Sequence, residues 1–245
     1  MRLRGKVVIV TGAASGIGRA TVDVCAAEGA NLVLADLPSP ALDALGSIGE
    51  TDRRPVIVAT DVTRLVDCQN LAGAAVTRWG RIDAVINCAG ILQGGFVAID
   101  DLDVETWQRV ITVNLTGSFQ VAKAVAPAMK RAGRGVIVLI ASGAGVRGGS
   151  SSVAYGSSKG GVHGLSMVIE SQLASFGIRV NDVCPGNLDT PLKRQNVIDG
   201  AVAKGESPTE ALKHAGLGDP IGVARVLAFL ASDEADYVRG SVFTR

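Results

Sequence analysis

Short runs of β-branched and other apolar residues alternate with longer amphipathic stretches through most of this 245-residue chain. The apolar runs predict strands at residues 7–10, 32–35, 56–59, 84–86, 136–141 and 178–183. The amphipathic stretches predict helices at residues 17–28, 64–79, 104–131, 154–176 and 221–232. Because the strands are continuously apolar and helices separate them, we expect one α/β domain over residues 1–245, a doubly wound parallel sheet with helices on both faces.

One segment, residues 187–218, breaks this alternation. It is polar, contains Pro191, Pro208 and several glycines, and is too long for an ordinary connection. We expect it to form a flap or small helical lid over a substrate site.

Composition excludes several classes of protein. The 24 basic and 23 acidic residues give a formal net charge of +1 without a basic run, which does not favour binding of nucleic acid. No apolar run is long enough to span a membrane, and the four cysteines and two histidines form no metal-ligand pattern. Scattered thiols and the lack of a recognisable signal peptide favour the cytoplasm.

A glycine-rich turn follows the first predicted strand, with the sequence TGAASGIG at residues 11–18. A strand, such a turn and a helix start together favour phosphate binding, because the helix presents free N–H groups and a positive dipole. Its Gly-x-x-x-Gly-x-Gly spacing resembles the short-chain dehydrogenase/reductase family in its compact single-domain branch. That resemblance implies a Rossmann-type fold with a dinucleotide contacted by the turn residues Gly12, Ser15, Gly16, Ile17 and Gly18.

Asp36 ends the second predicted strand, eighteen residues after Gly18. A carboxylate at this position can accept hydrogen bonds from the ribose hydroxyls of the adenosine, and it repels a 2′-phosphate. The next residues, beginning with Leu37, include no arginine to offset that repulsion. NAD(H) is therefore favoured over NADP(H) as the cofactor.

Further cofactor contacts follow from the family resemblance. Asp61 and Val62 match the position that contacts adenine, and Asn87-Cys88-Ala89-Gly90 resembles the family's Asn-Asn-Ala-Gly. Pro185-Gly186 followed by Leu188 and Thr190 resembles the turn that binds the nicotinamide carboxamide. The resemblance implies these cofactor-binding residues: Asp61, Val62, Asn87, Ala89, Gly90, Pro185, Gly186, Leu188 and Thr190. For Asn87 the alternative is a structural role that braces the sheet at the cofactor edge.

Tyr155 and Lys159 lie four residues apart on one helical face, thirteen residues after Ser142. A cation beside a phenol lowers its pKa, so Tyr155 is expected to act as a general acid/base near neutral pH. Ser142 would hold the substrate oxygen. With Asn114 these residues match the catalytic tetrad of the resembled family, in which the lysine and tyrosine also contact the cofactor. We expect Gly156, Gly160, Gly161 and Gly164 to clear space for the cofactor on one face of this helix and for the matching helix of a partner subunit on another.

The predicted reaction is interconversion of a secondary alcohol and a ketone by an NAD(H)-dependent oxidoreductase. Substrate contacts are predicted at Ser142, Leu92, Val146, Tyr155 and Leu192. Two alternatives remain: an NADPH-linked 3-oxoacyl reductase, which Asp36 disfavours, and a catalytically silent dinucleotide-binding or scaffold protein.

The resemblance also implies a homodimer or homotetramer. Family members continue through a last strand to a Val-Asp-Gly-Gly tail, whereas this sequence stops after Val-Phe-Thr-Arg. We therefore expect a short last strand, with Arg245 in place of a strand residue.

Overall fold

The computed structural model describes residues 1–48 and 54–244, and Arg245, with the expectation placed on it, lies outside them. These residues form a sheet of seven parallel strands in the order β3-β2-β1-β4-β5-β6-β7. The strands are β1 (Val7–Thr11), β2 (Asn31–Asp36), β3 (Val56–Ala59), β4 (Ala84–Asn87), β5 (Gly135–Ile140), β6 (Ile178–Cys184) and β7 (Gly240–Phe243). The predicted α/β fold class is confirmed, and each predicted strand is present within one or two residues at either end.

Helices cover both faces of the sheet. They are α1 (Gly16–Ala27), α2 (Pro40–Ala44), α3 (Leu65–Trp79), α4 (Val104–Ile111), α5 (Gly117–Ala132), α6 (Gly143–Val146), α7 (Val153–Leu173), α8 (Pro191–Ala203), α9 (Pro208–His214) and α10 (Pro220–Leu230). Successive side chains of a strand point to opposite faces, so β1 supplies both cores. Val8 and Val10 pack in the core that includes α1 and α10, and Val7 and Ile9 pack in the core that includes α3, α5 and α7.

The helix predicted over residues 104–131 is not continuous. A π-helical turn at Thr112–Thr116 separates α4 from α5 and contains the buried side chain of Asn114. Single π turns inside helices frequently occur at functional sites. The amphipathic pattern continues across this turn, so it did not indicate the interruption.

Segment 187–218 contains α8 and α9, and its two ends are joined by a bridge between Leu188 and Gly218. The α8 helix begins with Pro191 after the Thr190 cap, whose hydroxyl accepts a hydrogen bond from the Lys193 N–H at 3.3 Å. The expected helical content is therefore present.

The last strand is short, as predicted, and pairs with β6 along its whole length. A buried polar cluster connects it to α7. The fully buried Asp182 carboxylate of β6 accepts hydrogen bonds from the hydroxyls of Ser166 at 2.6 Å and Ser241 at 2.8 Å. The His163 Nδ1 lies 3.3 Å from the same carboxylate, so β6, β7 and α7 are held together.

Candidate active site

The turn after β1 carries three glycines that are needed for different reasons. Gly12 and Gly16 have φ angles of 62° and 53°, which glycine adopts without strain. A Cβ added to Gly18 would lie 2.0 Å from the Gly12 carbonyl oxygen, and one added to Gly12 would lie 2.8 Å from the Ala89 nitrogen. The turn is therefore packed directly against the backbone that follows β4.

The first backbone N–H groups of α1 are open to an anion. Ser15 is the N-cap, but within residues 1–48 and 54–244 its side chain accepts no hydrogen bond from α1, and the first turn has no acidic residue. The first amides of a helix lack intrahelical partners, and the helix dipole is positive at this end. Such an end fits a phosphate group.

A cavity, called here the glycine-turn cavity, opens along the carboxyl ends of β1, β2 and β4. The predicted residues that line it are Gly12, Ser15, Gly16, Ile17, Gly18, Asp36, Leu37, Asp61, Val62, Ala89, Gly90, Tyr155, Lys159 and Thr190. Thr60 and Arg109 also line it and were missed by the sequence analysis. Val113, four residues after Arg109, lines the cavity too, and no sequence pattern indicated either residue.

The Asp36 carboxylate is oriented by the backbone at the wall of this cavity. Its Oδ2 accepts a hydrogen bond from the Ala14 N–H at 2.9 Å, and its Oδ1 accepts one from the Leu37 N–H at 2.8 Å. Each oxygen retains a lone pair for another donor. Leu37 beside it leaves 57% of its surface exposed, which offers an apolar face next to a hydrogen-bond acceptor.

Asn87 was predicted to brace the sheet at the cofactor edge or to contact the cofactor directly, and it lies beneath the cavity with 2% of its surface exposed. Its Oδ1 accepts from the Thr11 hydroxyl, and its Nδ2 donates to the Ser118 hydroxyl at 3.0 Å. These bonds connect β1, β4 and α5. Asn87 thus braces the strands that carry the cavity, because the Asn side chain points into the sheet–helix interface.

Asn114 holds the backbone that follows β4. Its Oδ1 accepts from the Ile91 N–H at 2.8 Å, and its Nδ2 donates to the Ile91 carbonyl and the Ser158 hydroxyl, each at 2.9 Å. The side chain is fully buried and connects the π-helical turn, the strand end and α7. It therefore positions the cavity wall next to Lys159.

The Lys159 ammonium lies at the boundary between the sheet and the cavity. Its Nζ donates to the Ile140 carbonyl at 2.7 Å and lies 5.7 Å from the centre of the Tyr155 ring. Burial lowers the pKa of Lys159 to about 8, so the ammonium form still predominates at neutral pH. Lys159 can therefore stabilise negative charge on a neighbouring oxygen.

The pKa of Tyr155 is shifted in the direction opposite to the predicted one. Burial raises it, and hydrogen bonding with Ser142 opposes this rise without cancelling it. Desolvation disfavours a phenolate more than the neighbouring groups of this structure stabilise it. Tyr155 is accordingly a neutral phenol at neutral pH.

A second cavity, called here the Ser142 cavity, lies on the other side of Tyr155. The predicted residues that line it are Leu92, Ser142, Tyr155, Pro185, Gly186, Leu188, Thr190 and Leu192. Val146, also predicted to contact substrate, is not among the residues that line this cavity, and its partly buried side chain packs against the hydrophobic core from α6. Ser150 and Ser151 line the cavity and were missed, although they lie in a glycine- and serine-rich run that is typical of a loop.

Two of the α7 glycines, Gly160 and Gly161, lie against neighbouring protein atoms. A Cβ added to Gly145 of α6 would lie 2.5 Å from the Gly160 nitrogen, and one added to Gly161 would lie 2.7 Å from the Leu115 side chain. The small residues therefore allow α6 and the π-helical turn to pack closely on the helix that carries Tyr155 and Lys159.

The described residues lack the features of a membrane-spanning helix and of a metal site. No helix within residues 1–48 and 54–244 has the length and apolar character needed to cross a lipid bilayer. In the same part of the chain, no group of three or more His, Cys, Asp or Glu side chains is arranged to hold a metal ion.

Comparison with known sequences gives matches over nearly the whole chain. The family model for short chain dehydrogenases matches residues 6–199. A 3-oxoacyl-[acyl-carrier-protein] reductase of Thermotoga maritima is 37% identical over 99% of this chain and 96% of its own length. The trans-4-hydroxycyclohexanecarboxylate dehydrogenase of Sinomonas cyclohexanicum is 36% identical over 98% of this chain and 91% of its own.

Solved structures share the same fold. Levodione reductase superposes with a TM-score of 0.90 at 32% identity, covering 99% of this chain and 96% of its own. A variant of actinorhodin polyketide ketoreductase with NADPH superposes with a TM-score of 0.91 at 31% identity, covering 98% and 95%. The residues at both cavities are thus carried by a scaffold shared with oxidoreductases.

Proposed function

Because the chain belongs to the short-chain dehydrogenase/reductase family of oxidoreductases, we propose that it interconverts a secondary alcohol and a ketone with NAD(H). The observation that carries this proposal is the position of Tyr155, which lines both the glycine-turn cavity and the Ser142 cavity. A proton donor between a cofactor and a substrate is what carbonyl reduction requires. Ser142 lies on the substrate side and Lys159 on the cofactor side.

The glycine-turn cavity fits a nicotinamide dinucleotide. The uncapped amides of α1 suit its pyrophosphate, and the absence of Cβ atoms at Gly12 and Gly18 lets the backbone form the floor of the cavity. The oriented Asp36 carboxylate suits the adenosine ribose, and the exposed Leu37 suits the adenine ring. When bound, the nicotinamide supplies or accepts the hydride.

Tyr155 moves the proton in this mechanism. During reduction its neutral phenol donates a proton to the substrate oxygen, and the Lys159 ammonium stabilises the phenolate that remains. During oxidation the phenolate accepts the proton of the alcohol. The Ser142 hydroxyl donates a hydrogen bond to the oxygen on which negative charge develops. The raised pKa of Tyr155 keeps its phenol protonated at neutral pH, so the proton needed for reduction is present.

Asp36 supports NAD(H) as the cofactor. Its carboxylate would repel a 2′-phosphate at the cavity wall, and the basic side chains among the lining residues are Arg109 on α4 and Lys159 on α7, outside β2 and the residues that follow it. The second candidate is an NADPH-linked 3-oxoacyl reductase. Two observations favour it: the similarity to the Thermotoga maritima reductase and the similarity to a ketoreductase structure that contains NADPH.

A two-cofactor assay tests the proposal. The purified protein is given NADH or NADPH with cyclohexanone, substituted cyclohexanones and an acetoacetyl thioester, and oxidation of the cofactor is followed by absorbance. We expect NADH to support faster reduction of a ketone than NADPH does. A preference for NADPH and the thioester would instead support the second candidate.

Replacing Tyr155 tests the mechanism. Tyr155→Phe removes the proton donor and should lower kcat at least about 100-fold. Affinity for NADH, measured by fluorescence titration, serves as the control and should change little. Activity retained by this variant would overturn the role of Tyr155, and NADH binding without turnover of any carbonyl compound would indicate a silent dinucleotide-binding protein.

A further inference from the structure

Lys193 lies in the first turn of α8 and lines the Ser142 cavity. Its side chain is partly buried, and burial lowers its pKa with no charged neighbour contributing. Removing an ammonium group from water costs free energy unless another charge or hydrogen-bond acceptor compensates. The position of Lys193 therefore requires an explanation.

No acidic side chain compensates Lys193 in the part of the chain that the structure describes. The residues that line the Ser142 cavity include no Asp or Glu. Within residues 1–48 and 54–244, the Lys193 ammonium forms no ion pair within 4.0 Å.

The neighbouring arginines already have partners. The Arg194 Nη2 donates to the Asp189 Oδ2 at 2.7 Å, so that guanidinium is neutralised at the protein surface. The Arg147 guanidinium lies 3.8 Å from the centre of the Phe243 ring. Lys193 is thus the basic residue that faces the substrate side of Tyr155 without a counter-charge among the described residues.

The rest of the cavity wall is apolar or neutral. Leu92, Phe96, Leu188 and Leu192 supply apolar surface. The neutral polar groups include the Asn196 amide, whose Nδ2 donates to the Ser151 hydroxyl at 2.8 Å. A cavity with this lining suits an apolar substrate that carries one negative charge.

We propose that Lys193 binds a carboxylate of the substrate, so that the enzyme acts on a hydroxy acid or keto acid with an apolar carbon skeleton. This inference rests on the proposed function. A single ammonium matches a single carboxylate, whereas phosphate groups are typically bound by arginine forks or several N–H groups at once. The reacting carbonyl would lie at Ser142 and Tyr155, with the carboxylate at the α8 side of the cavity.

A matched pair of substrates isolates the contribution of the carboxylate to kcat/KM from that of the rest of the molecule. Reduction of 4-oxocyclohexanecarboxylate is compared with reduction of its methyl ester, using the preferred cofactor. The variant Lys193→Gln removes the charge, and Lys204→Gln is the control, because Lys204 is exposed at the end of the same helix. We expect kcat/KM of the wild type to be at least about tenfold higher for the acid than for the ester.

The variants should change kcat/KM for the acid and for the ester differently. Lys193→Gln should lose about tenfold in kcat/KM for the acid, mainly through KM, and leave the ester unchanged. Lys204→Gln should leave both unchanged. Equal use of acid and ester by the wild type would overturn the inference, as would an equal loss for both substrates in Lys193→Gln. Reduction of the ester in either case would leave the proposed function standing.

Binding provides a readout that does not depend on turnover. Cyclohexanecarboxylate is titrated into the NADH-saturated protein and the heat is measured by calorimetry. The wild type and Lys204→Gln should bind this anion, and Lys193→Gln should bind it about tenfold more weakly or not at all. Absence of binding to the wild type, or equal binding to all three proteins, would contradict a carboxylate site even if no ketone is reduced.

Discussion

The two cavities beside Tyr155 are built in different ways. The glycine-turn cavity is formed largely by backbone atoms in close contact, such as Gly18 against the Gly12 carbonyl. The Ser142 cavity is formed by side chains from segments far apart in sequence, joined by contacts such as the 2.8 Å hydrogen bond between Asn196 and Ser151. In the first cavity a Cβ added to Gly18 or Gly12 would lie 2.0 or 2.8 Å from a backbone atom, which leaves no room for a new side chain, whereas side-chain contacts can be exchanged. We therefore expect the first cavity to resist substitution and the second to tolerate it.

The largest effect is expected at Gly18. In Gly18→Ala the new methyl group would overlap the Gly12 carbonyl, which lies 2.0 Å from its position, so the turn must move. We expect a loss of about 3 kcal/mol or more in the free energy of unfolding, the upper end of ordinary overpacking, together with weak NADH binding. Urea unfolding measures the first and fluorescence titration the second.

The control for this substitution is Gly73→Ala. Gly73 is exposed inside α3, and an added Cβ meets no described atom within 4 Å. Alanine should stabilise the protein there by up to about 1 kcal/mol through helix propensity. Equal effects at Gly18 and Gly73 would contradict the assignment of close backbone packing to the glycine turn.

The next largest effect is expected at Asp36. Asp36→Ala removes a charged hydrogen-bond acceptor, so the dissociation constant for NADH should rise about tenfold or more. Affinity for NADPH should improve, because the repulsion of its 2′-phosphate is removed. Fluorescence titration with both cofactors measures this, with Asp43→Ala as a control that removes the same charge from an exposed position on α2. An unchanged ratio of the two affinities would refute the ribose contact.

A smaller effect is expected where α8 contacts the Ser150–Ser151 loop. Asn196→Ala and Ser151→Ala each break the same hydrogen bond, worth about 1 kcal/mol, and should raise KM for a ketone about fivefold while NADH affinity is kept. The double variant should be no worse than either single variant. Independent effects that multiply would indicate that this bond does not hold α8 over the Ser142 cavity.

The smallest effect is the slow chemical labelling expected of two thiols, those of Cys88 and Cys184. Burial raises the pKa of Cys88 to about 12 and that of Cys184 to about 11, so about one thiol in a thousand or fewer is ionised at pH 8. A disulfide reagent should therefore label the native protein slowly at pH 8 and rapidly after denaturation. Fast labelling of the folded protein would contradict these shifts.

The raised pKa values of the same thiols predict that the folded state loses stability in alkaline solution. Their folded pKa values lie above the ordinary value of 9.0, so the folded state retains protons that the unfolded state has lost. This contribution to stability is complete below pH 9 and is lost as the pH rises from 9 toward 11 and 12. Urea midpoints measured at pH 8, 9 and 10 should therefore fall, and the fall should be smaller in Cys88→Ala.

The sequence predicts the glycine-turn cavity better than the Ser142 cavity for a physical reason. The Gly12, Gly16 and Gly18 pattern and the Asp36 carboxylate are needed at fixed distances along one unit of strand, turn, helix and second strand, so local sequence records them. The Ser142 cavity depends on which side chains of distant segments turn inward. Val146 is apolar and lies four residues after Ser142, yet its side chain packs against the core, and no local pattern distinguishes this packing from a place in the cavity wall.

Two further features of the structure were not predicted from the sequence, because they arise from tertiary contacts. The π-helical turn at Thr112–Thr116 is stabilised by the bonds of Asn114 to Ile91 and Ser158, which lie far from it in sequence. The direction of the Tyr155 pKa shift is set by burial, which outweighs the opposing hydrogen bond with Ser142. Spacing along α7 places Tyr155 and Lys159 on one face of the helix, but it does not determine how deeply the Tyr155 phenol is buried.

The strand order has a consequence for synthesis of the chain. β1 is made first but lies inside the sheet, and its partner β4 follows much later, since the bonded residues Thr11 and Asn87 are 76 positions apart. At about 5–20 residues per second, a ribosome needs about 4–15 s to make that interval. An apolar strand edge is unpaired during this time and can pair with another nascent chain. The growing polypeptide is thus most exposed to aggregation before its fourth strand emerges, and slow translation of residues 12–87 prolongs that exposure.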